Sequence, residues 1–138
     1  TLFYGVLDTR SGGLAYASAG HNPPYWRQSA TGHLVRLALR GIALGVVEDP
    51  HFENGCVVLG PGDALVLYTD GVTDAFDTAG QAFGEAGLCE AIRKAGTRPA
   101  EQLVQAINQA VQEFVNGAPQ YDDYTLVVVA RDLEAPPA

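Results

Sequence analysis

Four aspartates, arranged as two close pairs, are of a residue type suited to binding a metal ion. Asp70 and Asp74 follow one apolar run of the chain, and Asp122 and Asp123 precede another. Four carboxylates in one site that excludes water would repel each other, and a bound divalent cation usually compensates their charge. A donor set made only of oxygen favours Mg, Mn or Ca over Zn. In the alternative interpretation, Asp74 caps the turn after Asp70, and Asp122 and Asp123 are solvated loop acids.

The two pairs of acids meet only if the strands beside them pair with each other. Residues 64–68 predict a buried strand, because this apolar run is too short for a free-standing helix. Residues 124–130 predict a second strand, continuous enough to be buried on both faces. Asp70 follows the first strand and Asp122 precedes the second, so antiparallel pairing would place both at the same end of the sheet. Gly71 would let the backbone turn sharply after Asp70.

The remaining elements predict an α+β fold in which helices cover an antiparallel sheet. Shorter apolar runs predict further strands over residues 2–7, 14–19, 25–28, 34–37 and 52–59. A helical period follows, with a first helix closed by Gly96 and a second that starts near Pro99 and ends before Gly117. The second helix carries an apolar stripe that should face the core, formed by Leu103, Ile107, Ala110, Val111 and Phe114.

A second polar site is predicted at His21 and Asn22, where a strand ends before two prolines. Prolines at this point prevent regular strand pairing from continuing, so both side chains lie at a strand end. A histidine in such a place can take part in a metal site, or it can be a partly exposed loop residue. The sequence around His21 leaves both interpretations open.

Composition predicts one globular, acidic domain. With 138 residues, 47% of them hydrophobic, the chain is large enough to bury a core. Sixteen acidic against eight basic residues give a net charge of −8, which disfavours nucleic acid and anionic membranes as partners and favours small cations. We find no apolar run of membrane-spanning length and no signal peptide, and we expect a cytoplasmic location. Cys56 and Cys89 are predicted to be reduced core residues.

Four motifs, in this order, resemble the SpoIIE/RsbU-type branch of the bacterial PPM (type 2C) serine/threonine phosphatases. The motifs are A-G-H-N-P-P, G-I-A-L-G, P-G-D-A-L-V-L-Y-T-D-G-V-T-D-A and Y-D-D-Y-T-L-V-V-V. The resemblance implies an α-β-β-α fold, an antiparallel β-sandwich flanked by helices, with a two-metal site at one edge. It also implies that residues 1–132 are the later part of such a domain, incomplete at the N-terminus because the chain begins inside a strand without Met. We expect residues 133–138 to form a flexible tail.

The resemblance assigns roles to the acids of the two long motifs. Asp70 and Asp122 match metal-binding aspartates of the family, and Gly71, which follows Asp70 in the T-D-G motif, is assigned to the metal site with them. Asp123 stands where related enzymes often have Asn, which implies weak ligation or support of other ligands. Asp74 stands where this branch commonly has Glu, so the charge is kept but its reach is shorter.

The resemblance also points to what the chain lacks. Other type 2C enzymes have an aspartate associated with a third metal where this chain has His21, and His21 and Asn22 are therefore assigned a supporting role only. The remaining metal aspartates of the family precede Thr1. The chain alone is thus expected to bind Mn weakly and to be inactive.

The activity implied for the intact enzyme is hydrolysis of phosphoserine or phosphothreonine with two divalent cations, Mn or Mg. Its implied substrate is a phosphorylated protein such as an anti-sigma-factor antagonist, and an upstream sensor or regulatory domain is implied as well. We expect unpaired sheet edges and exposed apolar surface, which would permit a homodimer. Two alternatives stay open: a catalytically incomplete relative that acts as a regulatory binding module, and a metal phosphoesterase acting on small phosphate esters or nucleotides.

Overall fold

Within residues 1–120 and 122–133, which the computed structural model describes, seven strands form two antiparallel sheets and three helices accompany them. In chain order the elements are β1 (Leu2–Leu7), β2 (Gly13–Ala19), β3 (Tyr25–Arg27), β4 (Leu34–Arg36), β5 (Asn54–Val58), β6 (Ala64–Tyr68), α1 (Asp70–Thr73), α2 (Gly84–Ala95), α3 (Ala100–Val115) and β7 (Leu126–Ala130).

The two sheets have different strand orders. One has three strands in the order β1-β2-β5, and the other has four in the order β4-β3-β6-β7. In the second sheet β6 and β7 pair antiparallel, with Ala64 opposite Ala130 and Tyr68 opposite Leu126. The predicted pairing of these two strands is therefore confirmed, and the residues after β6 and before β7 lie at the same end of the sheet.

Two clusters of buried side chains hold three layers together. Residues of both sheets form the first cluster, whose buried members are Leu14, Tyr16, Leu37 and Leu65. The second cluster joins the four-stranded sheet to α2 and α3, and its fully buried members include Val66, Tyr68, Leu88, Ile92, Leu103 and Ile107. The prediction of an α+β fold with an antiparallel sandwich is thus confirmed.

The helices of the described residues cover the four-stranded sheet and leave the outer face of the three-stranded sheet open. On that face Tyr4 is 62% exposed, Val6 56% and Val58 62%. Apolar side chains exposed side by side on one sheet are typical of a surface that another segment or protein covers.

The apolar stripe of α3 is confirmed, because Leu103, Ile107 and Val111 are buried. Its ends differ slightly from the prediction. Pro99 caps the helix instead of occupying its first turn, and the left-handed residue at the C-terminal end is Asn116, with φ 46°, ahead of Gly117. Asn adopts this conformation more readily than most non-glycine residues, and Gly117, which follows it, also has a positive φ, of 83°.

Two predictions of burial are wrong. The last strand begins at Leu126, and Val127 is 47% exposed, because β7 is an edge strand of its sheet and has a neighbour on one side only. Cys56 is exposed on the open face of β5, whereas Cys89 is half-buried and packs against the core cluster as predicted; both are free thiols. Continuous apolar sequence does not distinguish an edge strand from a central one. The tail predicted from residue 133 lies outside the described residues, apart from Leu133.

Candidate metal centre

The chain changes from strand to helix directly before the first acid. β6 ends at Tyr68, which is 1% exposed, and α1 begins at Asp70. Between them, the Thr69 amide donates to the Thr125 carbonyl at 3.1 Å, and the Thr125 amide donates to Thr69 Oγ1 at 2.9 Å. This pair of hydrogen bonds ties the segment that carries Asp70 to the segment that precedes β7.

Tyr68, the last residue of β6, is buried beneath the acidic segment. Its ring stacks on that of Tyr25, with centroids 6.0 Å apart, and burial raises the pKa of Tyr68 to about 12. The hydroxyl of Tyr25 donates to Glu85 Oε2 at 3.0 Å, whereas the buried Tyr68 hydroxyl has no hydrogen-bond partner among the residues described. The strand beneath the acids is thus held by apolar packing, not by this hydroxyl.

The turn that carries Asp70 and Asp74 is closed by main-chain groups. The Asp70 carbonyl accepts hydrogen bonds from the Asp74 amide at 2.7 Å and from Thr73 Oγ1 at 2.9 Å. Both carboxylates are on exposed residues, and neither accepts a hydrogen bond from residues 1–120 or 122–133. The predicted capping of this turn by Asp74 therefore involves its amide and leaves its carboxylate available.

Gly71 allows the two acidic segments to come close. It is buried, and a Cβ atom at this position would lie 2.4 Å from the Asp123 carbonyl oxygen and 3.0 Å from Tyr124 Cβ. Any side chain at residue 71 would push α1 away from residues 123 and 124. The glycine of the T-D-G motif thus acts through close backbone packing in this structure.

The second pair of acids lies on an exposed segment with few internal contacts. The Asp123 amide donates to Asp122 Oδ1 at 2.8 Å. Gln120 Nε2 donates to the Asp122 carbonyl at 3.0 Å and lies 3.5 Å from Asp123 Oδ1. Sequence reasoning missed Gln120, since a single polar residue in a loop gives no pattern.

A pocket of about 90 Å³ brings one acid from each pair to a common surface. Asp74 and Asp122 both line it, whereas Asp70 and Asp123 are not among its lining residues. The end of α3 and the loop after it provide an apolar wall, formed by Val111, Val115, Ala118 and Pro119. The pocket therefore combines an apolar side with two carboxylates.

The donors fit the chemistry of a hard divalent cation but not its usual number of ligands. Exposed carboxylates without internal partners are the oxygen donors that Mg²⁺ and Mn²⁺ take. In the part of the chain that the structure describes, however, no three side chains of His, Cys, Asp or Glu lie close enough together to hold a metal ion. Asp70 and Asp122 are thus part of a coordination sphere at most.

His21 and Asn22 are not brought into such a group. His21 is half-buried beyond the end of β2, in the three-stranded sheet, and its Nδ1 lies 3.0 Å from Thr1 Oγ1. Asn22 is half-buried beside it. The supporting role assigned to them remains a prediction.

None of the described helices is both long enough and apolar enough to cross a membrane.

Residues 1–132 match the family model described as Stage II sporulation protein E (SpoIIE). The chain is 35% identical over 132 residues to Protein IcfG of Synechocystis sp., covering 96% of this chain and 20% of that protein. It is 28% identical over 133 residues to phosphoserine phosphatase RsbU of Bacillus subtilis, covering 96% of this chain and 39% of that protein. The chain therefore spans well under half the length of either relative.

The fold is similar to that of the phosphatase domain of the cell fate determinant SpoIIE from Bacillus subtilis, in a structure presoaked with Mn. The TM-score is 0.73 at 15% identity, covering 99% of this chain and 59% of that chain. At this level of identity the similarity shows the fold alone. Because the family model matches residues 1–132, the chain belongs to the SpoIIE family, the SpoIIE/RsbU-type branch of the PPM (type 2C) phosphatases.

Proposed function

We propose that the chain is part of a metal-dependent serine/threonine protein phosphatase that hydrolyses phosphoserine or phosphothreonine on a regulatory protein. One observation carries the proposal. The segments with Asp70 and Asp122 are held together at one end of the β6–β7 pair, and the carboxylates of Asp70 and Asp74 accept no hydrogen bond from the described part of the chain.

In this proposal Asp70 and Asp122 hold divalent cations, Mn or Mg. Asp123 ligates weakly or supports the other ligands, and Asp74 contributes negative charge from the pocket that it lines together with Asp122. Bound cations of this kind activate a water molecule for attack on phosphorus and neutralise the charge that develops there. The chain itself positions the carboxylates, through the Thr69–Thr125 hydrogen bonds and the close approach at Gly71.

The site proposed for the 138 residues is incomplete. The described residues group fewer than three ligands, and a hard divalent cation bound by fewer protein oxygens keeps more of its water and binds weakly. We therefore expect this chain on its own to bind Mn²⁺ weakly and to lack phosphatase activity. Robust turnover by the purified 138 residues would overturn this part of the proposal.

The proposed partners follow from the family. The curated relative RsbU is described as a phosphoserine phosphatase, and the substrate proposed for this chain is a phosphorylated protein such as an anti-sigma-factor antagonist. We also propose an upstream sensor or regulatory domain and a cytoplasmic location. We also propose that the chain forms a homodimer. The exposed apolar side chains on the open face of the three-stranded sheet support this proposal.

A second function, that of a catalytically incomplete regulatory module, is favoured by the small number of grouped ligands. The test is a phosphatase assay of the full-length protein with and without Mn²⁺, on a phosphoprotein and on a nucleotide. Mn-dependent release of phosphate from the phosphoprotein alone supports the proposed function. Release from the nucleotide indicates a small-molecule phosphoesterase, and failure to release phosphate from either indicates the regulatory module.

A further inference from the structure

The pair Thr69 and Thr125 continues the β6–β7 ladder by one step, but in an altered form. In an antiparallel hydrogen-bonded pair, each residue donates its amide to the carbonyl of the other. Thr69 follows this rule, since its amide donates to the Thr125 carbonyl at 3.1 Å. The Thr125 amide instead donates to the side-chain Oγ1 of Thr69, at 2.9 Å.

The main-chain carbonyl of Thr69 is used elsewhere. It accepts the amide of Val72 at 3.1 Å, which is a hydrogen bond of the first turn of α1. The hydroxyl of Thr69 therefore takes the place of its own carbonyl in the ladder. This substitution lets the chain leave the sheet and enter α1 at Asp70 while Thr125 remains paired.

This use of the side chain differs from the one that sequence predicts. A threonine directly before a helix usually caps it, with Oγ1 accepting an amide of the first turn. Thr69 stands at the N-cap position of α1, yet its side chain makes no capping hydrogen bond. Its oxygen instead accepts the amide of Thr125, which directly precedes β7 and lies three residues after Asp122.

We infer that Thr69 is a positioning residue for the metal centre, one that sets the distance between Asp70 and Asp122 through the Thr125 amide. The inference rests on the proposed function and deepens it. The role requires a short side chain with an acceptor oxygen, so serine can replace threonine there. Valine has the same shape but no acceptor, and it leaves the Thr125 amide without its partner. Residues that orient metal ligands typically change metal affinity by about ten- to a hundredfold when they are replaced.

The experiment compares four variants of the full-length protein with wild type: Thr69→Val, Thr69→Ala, Thr69→Ser and Thr9→Val. The last is a matched control, because Thr9 is an exposed threonine in the turn between β1 and β2, and its hydroxyl makes no hydrogen bond within the described residues. Two quantities are measured. One is the Mn²⁺ concentration that gives half-maximal phosphatase activity, and the other is the residue-resolved hydrogen–deuterium exchange rate of the Thr125 amide.

We expect Thr69→Val and Thr69→Ala to raise the half-saturating Mn²⁺ concentration about tenfold or more and to speed exchange at Thr125. Thr69→Ser and Thr9→Val should stay close to wild type in both measurements. A normal Mn²⁺ requirement in Thr69→Val overturns the inference, and so does equal damage in Thr69→Ser. If the valine variant does not fold, the comparison of alanine with serine decides in the same way. A wild-type protein that does not respond to Mn²⁺ rejects the proposed function itself, and the inference with it.

Discussion

The two ends of the β6–β7 strand pair both carry charged residues, but these residues are used in opposite ways. At one end Asp63 precedes β6 and Arg131 follows β7, and the Arg131 amide donates to the Asp63 carbonyl at 2.9 Å. At the other end Asp70 follows β6 and Asp122 precedes β7. The same two strands thus present one acid–base end and one end with acids only.

At the first end both charged groups, the Asp63 carboxylate and the Arg131 guanidinium, form hydrogen bonds within the protein. Asp63 is 6% exposed, and its carboxylate accepts from Trp26 Nε1 at 2.9 Å, the Ser29 amide at 2.7 Å and the Gly60 amide at 2.8 Å. The Arg131 guanidinium donates to three main-chain carbonyls of the three-stranded sheet's loops. The acceptors are Leu59, directly after β5, at 2.7 Å, and Ser11 and Arg10, between β1 and β2, at 2.8 Å and 3.2 Å.

At the second end the carboxylates are exposed and have few internal partners. Asp122 Oδ1 accepts one amide, and the carboxylates of Asp70 and Asp74 accept none from the described residues. A charged group that stabilises a fold is normally hydrogen-bonded and paired, as Asp63 is. The contrast indicates that the first end holds the two sheets together and the second is available for a ligand.

The largest expected effect is the loss of activity on changing Asp70 or Asp122. Both lie at the end of the β6–β7 pair that carries acids only, which we call the open end. Asp70→Asn and Asp122→Asn in the full-length protein should each lower Mn-dependent phosphatase activity by about a thousandfold or more, since a metal ligand supplies several kcal/mol of charge stabilisation. The free energy of unfolding should change by less than about 0.5 kcal/mol, because both residues are exposed.

The control for this prediction is Asp49→Asn, which removes the same charge from another exposed aspartate. It should keep wild-type activity. Wild-type turnover by a folded Asp70→Asn variant would refute the assignment of Asp70.

The next largest effect is expected in stability, at the opposite end. Asp63→Ala should lower the free energy of unfolding by about 3 kcal/mol or more, because three donors, including Trp26 Nε1, lose a charged acceptor. Urea denaturation of Asp63→Ala beside Asp70→Ala measures the difference between the ends directly. Equal stability of the two variants would remove the contrast between a structural and a ligand-binding carboxylate.

A smaller loss is expected for Arg131→Met, which keeps the aliphatic stem and removes the guanidinium. The carbonyls of Leu59 and Ser11 lose their donor, at a cost of about 1–3 kcal/mol in the free energy of unfolding. Arg10→Met is the control, since only main-chain groups of Arg10 are hydrogen-bonded in the described structure. A chemical denaturation curve for Arg131→Met that overlays the Arg10→Met curve would show that this end is not held by the guanidinium.

The smallest effect is expected for Tyr68→Phe, at the end of β6 beneath the acids. The hydroxyl that is removed is buried and has no partner in the described residues, so stability should be unchanged or rise by up to about 1 kcal/mol. Tyr25→Phe, on the ring stacked against it, should instead be destabilised, because it loses the hydrogen bond to Glu85. Thermal denaturation distinguishes the two, and a clear loss of stability in Tyr68→Phe would reveal a partner for its hydroxyl.

The sequence was sufficient to predict that acids meet at the open end of the β6–β7 pair. It did not predict the hydrogen bonds of Asp63 and Arg131 at the opposite end. Asp70 and Asp122 could be placed at one end of a sheet because apolar runs define the strands and the acids interrupt them. Asp63 could not be distinguished from an ordinary turn residue, because two of its three partners, Trp26 Nε1 and the Ser29 amide, come from one distant segment of the chain. Long-range hydrogen bonds leave no periodic pattern in a sequence.

The same reason explains the other differences. The sequence indicates Gly71 only as a turn residue, whereas in the structure its lack of a side chain permits the close approach of the Asp123 carbonyl. Thr69 was visible only as part of a motif, and its hydrogen bond to Thr125 spans 56 positions of the chain. The exposure of Val127 depends on β7 being an edge strand, which composition does not reveal.

The most direct test of the account is a calorimetric titration with Mn²⁺ of the full-length protein, its Asp70→Asn variant and the 138-residue chain. We expect saturable binding to the full-length protein, weaker binding to the 138 residues, and loss of binding in Asp70→Asn. Unchanged Mn²⁺ affinity in a folded Asp70→Asn variant would contradict the claim that the open end of the β6–β7 pair is the metal site.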